Sequence, residues 1–366
     1  MENQKLLDPI KNLENEIKKL EEKTFKVYFF TIDSKGGTNG YLSYIYETAY
    51  QLKEMGYDVH MLHQEEEFIG VGSWLGEKYA NLPHHNIEKD KIEIAPSDVL
   101  FIPEFYSNIM QSTKKIPCKR VVIAQNFKYL TQIIPVGASW ANFGIKDCVC
   151  TTNSLSNRLK TVFPFINIRT VNPVIDSAIF NKGDKPKKLI VNIVAKEETD
   201  VNSIVKGFFW KYPMYKWVAF RDLKNLPKCE FAKYLQEAAF TVWHDRDSEF
   251  GYTPIECMKS GSIVIGKVPE LEPEWMVENN EFVNNGVWYF NNDDVHTLIA
   301  GAIESFIKDN INEEIYDEMD KMNDKYTLSN FIENITKVYV EDIFESHKNE
   351  LKTTLEILKN NSANNK

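Results

Sequence analysis

Three things are scarce in this chain. Its five cysteines (Cys118, Cys148, Cys150, Cys229 and Cys257) contain no Cys-x-x-Cys pair, which excludes the usual zinc and dithiol redox motifs. An odd count without metal spacing points to reduced, buried thiols and a cytosolic setting. Long apolar runs are the second shortage, since no stretch reaches the roughly eighteen residues that a bilayer demands. The opening MENQKLLDPIKNLENEIKKL also lacks the apolar core of a signal peptide. The expectation is a cytoplasmic protein, at most peripheral to the inner face of a membrane. Positive charge is the third: 43 Lys and Arg against 53 Asp and Glu give a formal charge of -10. That balance offers no general attraction to nucleic acid or anionic lipid and leaves only a local basic patch as a route to either.

What is present suffices for two cores. The chain has 366 residues, 43% of them hydrophobic and 13% aromatic, more than one ordinary domain needs. Leu6, Ile10, Leu13, Ile17 and Leu20 form a narrow helical stripe. A helix packed on its own body and a homodimer through this helix both fit that pattern, the first better because coiled coils sustain more heptads.

From Phe25 onward, short apolar runs alternate with helical patterns. Strands are expected at Lys26–Ile32, Asp58–Leu62, Val99–Ile102, Arg120–Ala124, Cys148–Thr151 and Ile168–Val171, with a helix over Tyr41–Met55 stopped by Gly56. The polar segment Asn181–Lys188 reads as a linker. The rhythm then restarts, with strands at Leu189–Val194, Trp217–Phe220, Phe240–Trp243 and Val287–Phe290 and helices at Val201–Phe209, Glu230–Ala239 and Asp293–Ile307. Strand, helix, strand in this order implies parallel sheets covered on both faces, and such sheets bind ligands beyond the carboxyl ends of their strands. The expected fold is α/β, with two Rossmann-like domains and added terminal helices. The divisions are 1–24 for an N-terminal helix, 25–182 and 183–325 for the two domains, and 326–366 for a C-terminal helix with a disordered tail, KNNSANNK.

Ser248 to Gly266, SEFGYTPIECMKSGSIVIG, is the most informative segment. Thr253, Pro254 and Glu256 have the spacing of a capping box, with Thr253 as N-cap, and Gly261 stops the helix. Glu256 then satisfies a backbone N–H. The same geometry serves a ligand: a helix N-terminus suits a diphosphate, Gly251 permits close backbone approach, and a carboxylate one turn inside accepts ribose hydroxyls.

The segment resembles the donor-binding signature of glycosyltransferases of the family 4-like group, which have the GT-B fold. Aligned on Phe250-Gly251, Glu256 matches the glutamate that binds the ribose, and Cys257 to Gly261 match the helix stop. Glu249 stands one residue out of register with the family's first, sugar-contacting glutamate. Gly36-Gly37-Thr38 looks like the family's glycine loop, and Asn172-Pro173-Val174-Ile175-Asp176 with Phe180 like the phrase closing the first domain. Glu230 to Ala239 matches the helix before the donor strand.

The resemblance implies transfer of a sugar from a UDP- or GDP-type donor to an acceptor hydroxyl, with retention, without metal or other cofactor, in glycan or glycoconjugate synthesis. It assigns Lys196 to the departing diphosphate and, with Glu249, to catalysis. Gly36, Gly37, Lys196, Arg221, His244, Phe250, Gly251, Tyr252, Thr253 and Glu256 become donor-binding candidates, and Gln125 and Asn126 acceptor-binding ones. Lys196 also reads as a solvated lysine beside Glu197 and Glu198, and His244 as a core or capping residue. Asp245-Arg246-Asp247 spells the Asp-x-Asp of metal-dependent sugar transferases of another fold and is expected here to be a solvated loop. GGTNG is not G-x-G-x-x-G and no acid ends the second strand, so a nicotinamide site is not expected. Two alternatives stay open. One is a catalytically degenerate scaffold or binding protein, and the other a glycosyltransferase acting on modified DNA bases, which needs a local basic groove.

Overall fold

The computed structural model describes residues 2–364, with side chains described over 8–363. It divides into two compact units. Unit 1 comprises Met1–Thr151, Leu155–Val171 and Ile332–Lys366; unit 2 comprises Thr152–Ser154 and Asn172–Phe331.

Unit 1 is built on a parallel sheet of seven strands: β1 (Lys26–Phe30), β2 (Asp58–His63), β3 (His84–Asn86), β4 (Val99–Pro103), β5 (Lys119–Ala124), β6 (Asp147–Cys150) and β7 (Asn167–Thr170). Their spatial order is β3-β2-β1-β4-β5-β6-β7. Helices α1 (Glu2–Glu21), α2 (Gly40–Glu54), α3 (Glu77–Ala80), α4 (Ser107–Ser112), α5 (Phe127–Ile133) and α6 (Asn153–Val162) occur along this part of the chain. Every residue of β4 and β5 is buried, as both faces of a central parallel strand must be. The order reverses between β1 and β4, so the crevice where such sheets take ligands lies beyond Phe30 and Pro103. Asn39 opens α2 by accepting the Tyr41 N–H at 2.9 Å, and Gly56, at φ +89°, closes it after Met55. Strand β3 had no signal in the sequence; its three residues are too few to show a period.

Deep in this unit, Asp147 joins Lys119 and Arg169, each at 2.8 Å. Burial alone would raise the Asp147 carboxyl, and these two cations hold it below its usual range. Cys148 and Cys150 share a face of β6, as alternation requires, with their sulfurs 3.8 Å apart, a thiol hydrogen bond rather than a disulfide.

Unit 2 has a five-stranded parallel sheet of β8 (Lys188–Ala195), β9 (Ala219–Asp222), β10 (Ala238–His244) and β11 (Ile263–Lys267), completed by β14 (Val287–Tyr289). A small antiparallel pair, β12 (Val277–Glu278) and β13 (Glu281–Phe282), lies between the last two in sequence. The order β14-β11-β10-β8-β9 reverses between β8 and β10. Helices α7 (Glu198–Lys211), α8 (Lys228–Glu237), α9 (Tyr252–Lys259), α10 (Val295–Ile307) and α11 (Glu314–Lys325) follow the strand rhythm. Strand β9 begins two residues later than expected, because Pro213 to Tyr215 make a tight helical turn and Val218 bonds back to Tyr215.

The chain ends in α12 (Leu328–Ile335), wider π-helical turns over Thr336–Phe344, and α13 (Glu345–Asn364). This corrects the expected disordered tail: KNNSANNK is helical through Asn364, and its last two residues lie outside the described ones. Helix α13 packs along α1, where Lys352 meets Glu21 and Lys359 meets Glu14, each at 2.7 Å. Ile17 and Leu20 of the N-terminal stripe are buried within the chain itself, and Ile10 and Leu13 half-buried. That packing is intramolecular, the first of the two readings of the stripe. The side chain of Leu6, the fifth member of the stripe, lies outside the described ones.

Candidate functional site

In unit 2 the site is assembled where β8 and β10 diverge. β8 runs out at Ala195 and hands the chain to Lys196, while β10 runs out at His244 and hands it to Asp245. Lys196 Nζ lies 2.9 Å from Asp245 Oδ1. The same oxygen accepts the Asp247 N–H at 3.0 Å. Of Asp245-Arg246-Asp247, the last two are exposed, as expected of a solvated loop, whereas Asp245 is half-buried with its charge spent on a lysine and a backbone amide. Lys196 is exposed, with 61% of its side chain in solvent, as its solvated reading has it, but its partner is Asp245 rather than Glu197 or Glu198.

The loop from Asp245 turns into α9 through Gly251, whose φ of +71° lies in the left-handed region. A Cβ there would stand 3.2 Å from the Trp275 ring and 3.4 Å from Trp243. Glycine is needed for both reasons. The Gly251 N–H donates to Ser248 Oγ at 3.1 Å, and the Trp275 indole N–H donates to the Phe250 carbonyl. Those bonds fix where the helix starts, and they correct the capping-box reading. α9 begins at Tyr252 with Gly251 as its cap, and no side chain caps it. Thr253 is thus a second-position residue and Glu256 lies beyond capping reach. The far end behaves as expected. Gly261, at φ +73°, bonds to Met258 O and Ser262 to Cys257 O, each at 2.9 Å, which is a Schellman closure.

Freed of capping, Glu256 is buried on α9 with Lys228 as its ion-pair partner, Nζ to Oε1 3.7 Å. Burial pushes its carboxyl above the ordinary value, and Lys228 opposes that shift. Glu249 is also buried. Phe250 packs edge-on against Tyr252 and Tyr326, so its ring serves the loop's own packing.

Two expected donor residues are engaged elsewhere. His244 is buried; its Nδ1 meets the Tyr289 hydroxyl at 2.9 Å and its Nε2 stands 3.8 Å from Asp200. Burial lowers its pKa and keeps the ring neutral. Arg221 lies opposite Asn192 in the sheet and pairs with Glu237, which also holds Lys188 at the first residue of β8. Its guanidinium thus points to the amino end of the sheet, away from Lys196 and Gly251.

In unit 1 the expected residues cluster at the carboxyl ends of β1, β4 and β5. Gly36 takes φ +81° in a turn closed by the Gly37 N–H on Ser34 O at 3.0 Å. Gln125 donates its side-chain amide to Tyr41 O at 3.0 Å, and Asn126 caps α5 by accepting from Lys128 N at 2.8 Å. Beneath both sits Glu104, fully buried, whose Oε1 accepts the backbone N–H groups of Gln125 and Asn126, each at 3.0 Å. Burial raises its carboxyl to about 7. Sequence reasoning missed Glu104 and Lys228. An acid closing the apolar strand Val99–Pro103 was a usable signal for the first. The second had none, because Lys228 meets Glu256 only through the packing of α8 on α9.

No family model matches this chain. A curated relative, the alpha-1,6-glucosyltransferase of Actinobacillus pleuropneumoniae serotype 7 (strain AP76), is 21% identical over 299 residues, covering 79% of this chain and 87% of the relative. Among solved structures, sucrose-phosphate synthase from Thermosynechococcus elongatus superposes with a TM-score of 0.60 at 12% identity, over 87% of this chain and 98% of that one. The pneumococcal O-GlcNAc transferase GtfA in complex with UDP and GlcNAc gives 0.57 at 10% identity, over 91% and 99%. The fold is thereby that of the GT-B enzymes, two Rossmann-like units in one chain.

Proposed function

We propose that this chain is a glycosyltransferase that moves a sugar from a nucleoside diphosphate donor to an acceptor hydroxyl. One observation carries the reading: a buried glutamate, Glu256, stands one turn inside a helix that starts on a left-handed glycine beside the reversal of a parallel sheet. A helix start of that kind suits a diphosphate, and the carboxylate suits a ribose. The curated relative is a glucosyltransferase and GtfA holds UDP, which supports a UDP-type donor.

In this reading Glu256 binds the ribose, the Gly251–Thr253 backbone receives the phosphates, and Lys196 exchanges Asp245 for the departing diphosphate. The acceptor oxygen bonds to the anomeric carbon on the same face that the diphosphate leaves, and the acceptor's proton passes to the departing diphosphate. The bond between the anomeric carbon and the diphosphate oxygen breaks with its electrons passing to that oxygen. Lys196 neutralises the charge so formed, which is where a preorganised cation lowers a barrier most. Glu249 contacts the sugar, Gln125 and Asn126 face the acceptor, and the configuration is retained without a metal. Arg221 and His244, held by Glu237 and Tyr289, have no part in it.

The test is a panel of UDP- and GDP-sugars read by released nucleotide, with water and then candidate glycans as acceptors. Turnover with one donor, lost in Glu256→Ala, is the expected result. Absence of turnover with every donor, together with no UDP or GDP binding by calorimetry, overturns the reading in favour of a scaffold.

A further inference from the structure

Helix α8 opens at Lys228, directly after Pro227, and sends its ammonium to 3.7 Å from Glu256 Oε1. The same nitrogen lies 5.7 Å from the centroid of the Tyr252 ring, on the first residue of α9. Nineteen per cent of the Lys228 side chain is exposed against 7% for Glu256, so the pair opens outward on the lysine side.

Several charged groups on the elements packed against α9 act elsewhere. On α8, Glu237 is held by Lys188 and Arg221. On β10, His244 bonds to Tyr289, and on β11, Lys267 bonds to Phe290 O. On α11, Asp320 pairs with Lys182, Lys321 with Glu318, and Asp324 acts on Lys259, which donates to Ile175 O. Cys257, adjacent on α9, is kept a thiol by burial. Among the described residues, Lys228 is the charge that acts on Glu256.

We propose that Lys228 is a specificity-determining residue of the donor site, forming with Glu256 an acceptor–donor pair that reads the two vicinal hydroxyls of a nucleotide's ribose. The inference rests on the donor-site reading above. A vicinal diol offers two protons and several lone pairs. A carboxylate takes the protons and an ammonium fills a lone pair, so the two residues match the diol where neither does alone. Lys228 also opposes the upward pull of burial on the Glu256 carboxyl, which favours its accepting form. A 2′-deoxy nucleotide leaves one of these nearly enclosed groups without its partner, and sites built on buried polar groups reject such analogues strongly.

Calorimetric titration of the full chain with UDP and 2′-deoxy-UDP, or with GDP and 2′-deoxy-GDP where UDP does not bind, at pH 8 and pH 6, tests the pair in wild type, Lys228→Met and Lys228→Arg, each first shown folded by its thermal melt. Wild type is expected to prefer UDP by at least about tenfold. Lys228→Met should bring the ratio within about twofold, and its UDP affinity should fall more steeply toward pH 6, because Glu256 then takes up a proton more readily. Lys228→Arg should restore both properties. Wild-type discrimination in Lys228→Met, or equal binding of the two nucleotides by wild type, overturns the assignment and leaves the donor site standing. Wild type that binds neither UDP nor GDP overturns both.

Discussion

The Tyr41 hydroxyl donates to Glu104 Oε2 at 2.6 Å, which ties the first turn of α2 to the end of β4 across the reversal of the seven-stranded sheet. With Oε1 holding the Gln125 and Asn126 amides, one carboxyl fixes the loops that follow three strands.

Stability should depend on pH through Glu104. Burial raises its carboxyl to about 7 from an ordinary value near 4.5, against the opposing hydrogen bonds from Tyr41, Gln125 and Asn126. The folded state thus binds this proton more tightly than the unfolded chain. The contribution is complete below about pH 4.5 and is lost as pH rises through about 7. Glu104→Gln, a permanently uncharged mimic, is expected to melt near the wild-type temperature at pH 5 and above it at pH 8. Glu104→Ala, which strands three buried donors, should cost about 3 kcal/mol at either pH. A Glu104→Gln melt that falls below wild type at pH 8 would sink the account.

Gly251→Ala should destabilise the donor unit. A left-handed backbone costs an alanine about 1–2 kcal/mol, and its methyl would press on Trp275 at 3.2 Å. Because Trp275 holds the Phe250 carbonyl, the start of α9 must shift too. A melt lowered by several degrees and weaker UDP binding are expected together. A lower melt with unchanged UDP affinity would separate the glycine's packing role from the proposed site.

Lys196 and Asp245 give opposite expectations. Lys196→Ala should lower the turnover rate about 100-fold if the ammonium meets the leaving diphosphate. Asp245→Asn removes its competitor and should lower KM for the donor several-fold. Initial rates of nucleotide release decide both. If the pair is only an exposed ion pair, neither variant changes the rate, because such pairs are worth little.

Arg221→Ala is expected to leave donor affinity within twofold of wild type and to cost about 1 kcal/mol of stability through its lost partner Glu237. Titration with UDP beside a thermal melt reads both. A tenfold loss of affinity would mean that the guanidinium leaves Glu237 to reach the donor.

Much of this was legible beforehand. The strands of both sheets apart from β3, the helix stop at Gly261 and the place of a glycine at Gly251 were encoded locally, in apolar runs and turn glycines, whereas the left-handed backbone of Gly251 was not foreseen. The capping box at Thr253 misled because its spacing is a local rule, and the actual start of α9 is fixed by Ser248 and Trp275. The tail misled for a related reason. Its polar composition does not favour a helix on its own, but α13 packs along α1, a contact between elements far apart in the chain.

By itself the sequence determined the α/β rhythm, the two parallel sheets and the segment carrying Glu256, because hydrophobic period, turn glycines and motif spacing act over a few residues. Only the tertiary structure decided the partners: Lys228 for Glu256, Asp245 for Lys196, Glu237 for Arg221, and Glu104 under Gln125 and Asn126. Each pair joins residues far apart in the chain, and electrostatic and hydrogen-bond energies depend on distance in space, which no local pattern records.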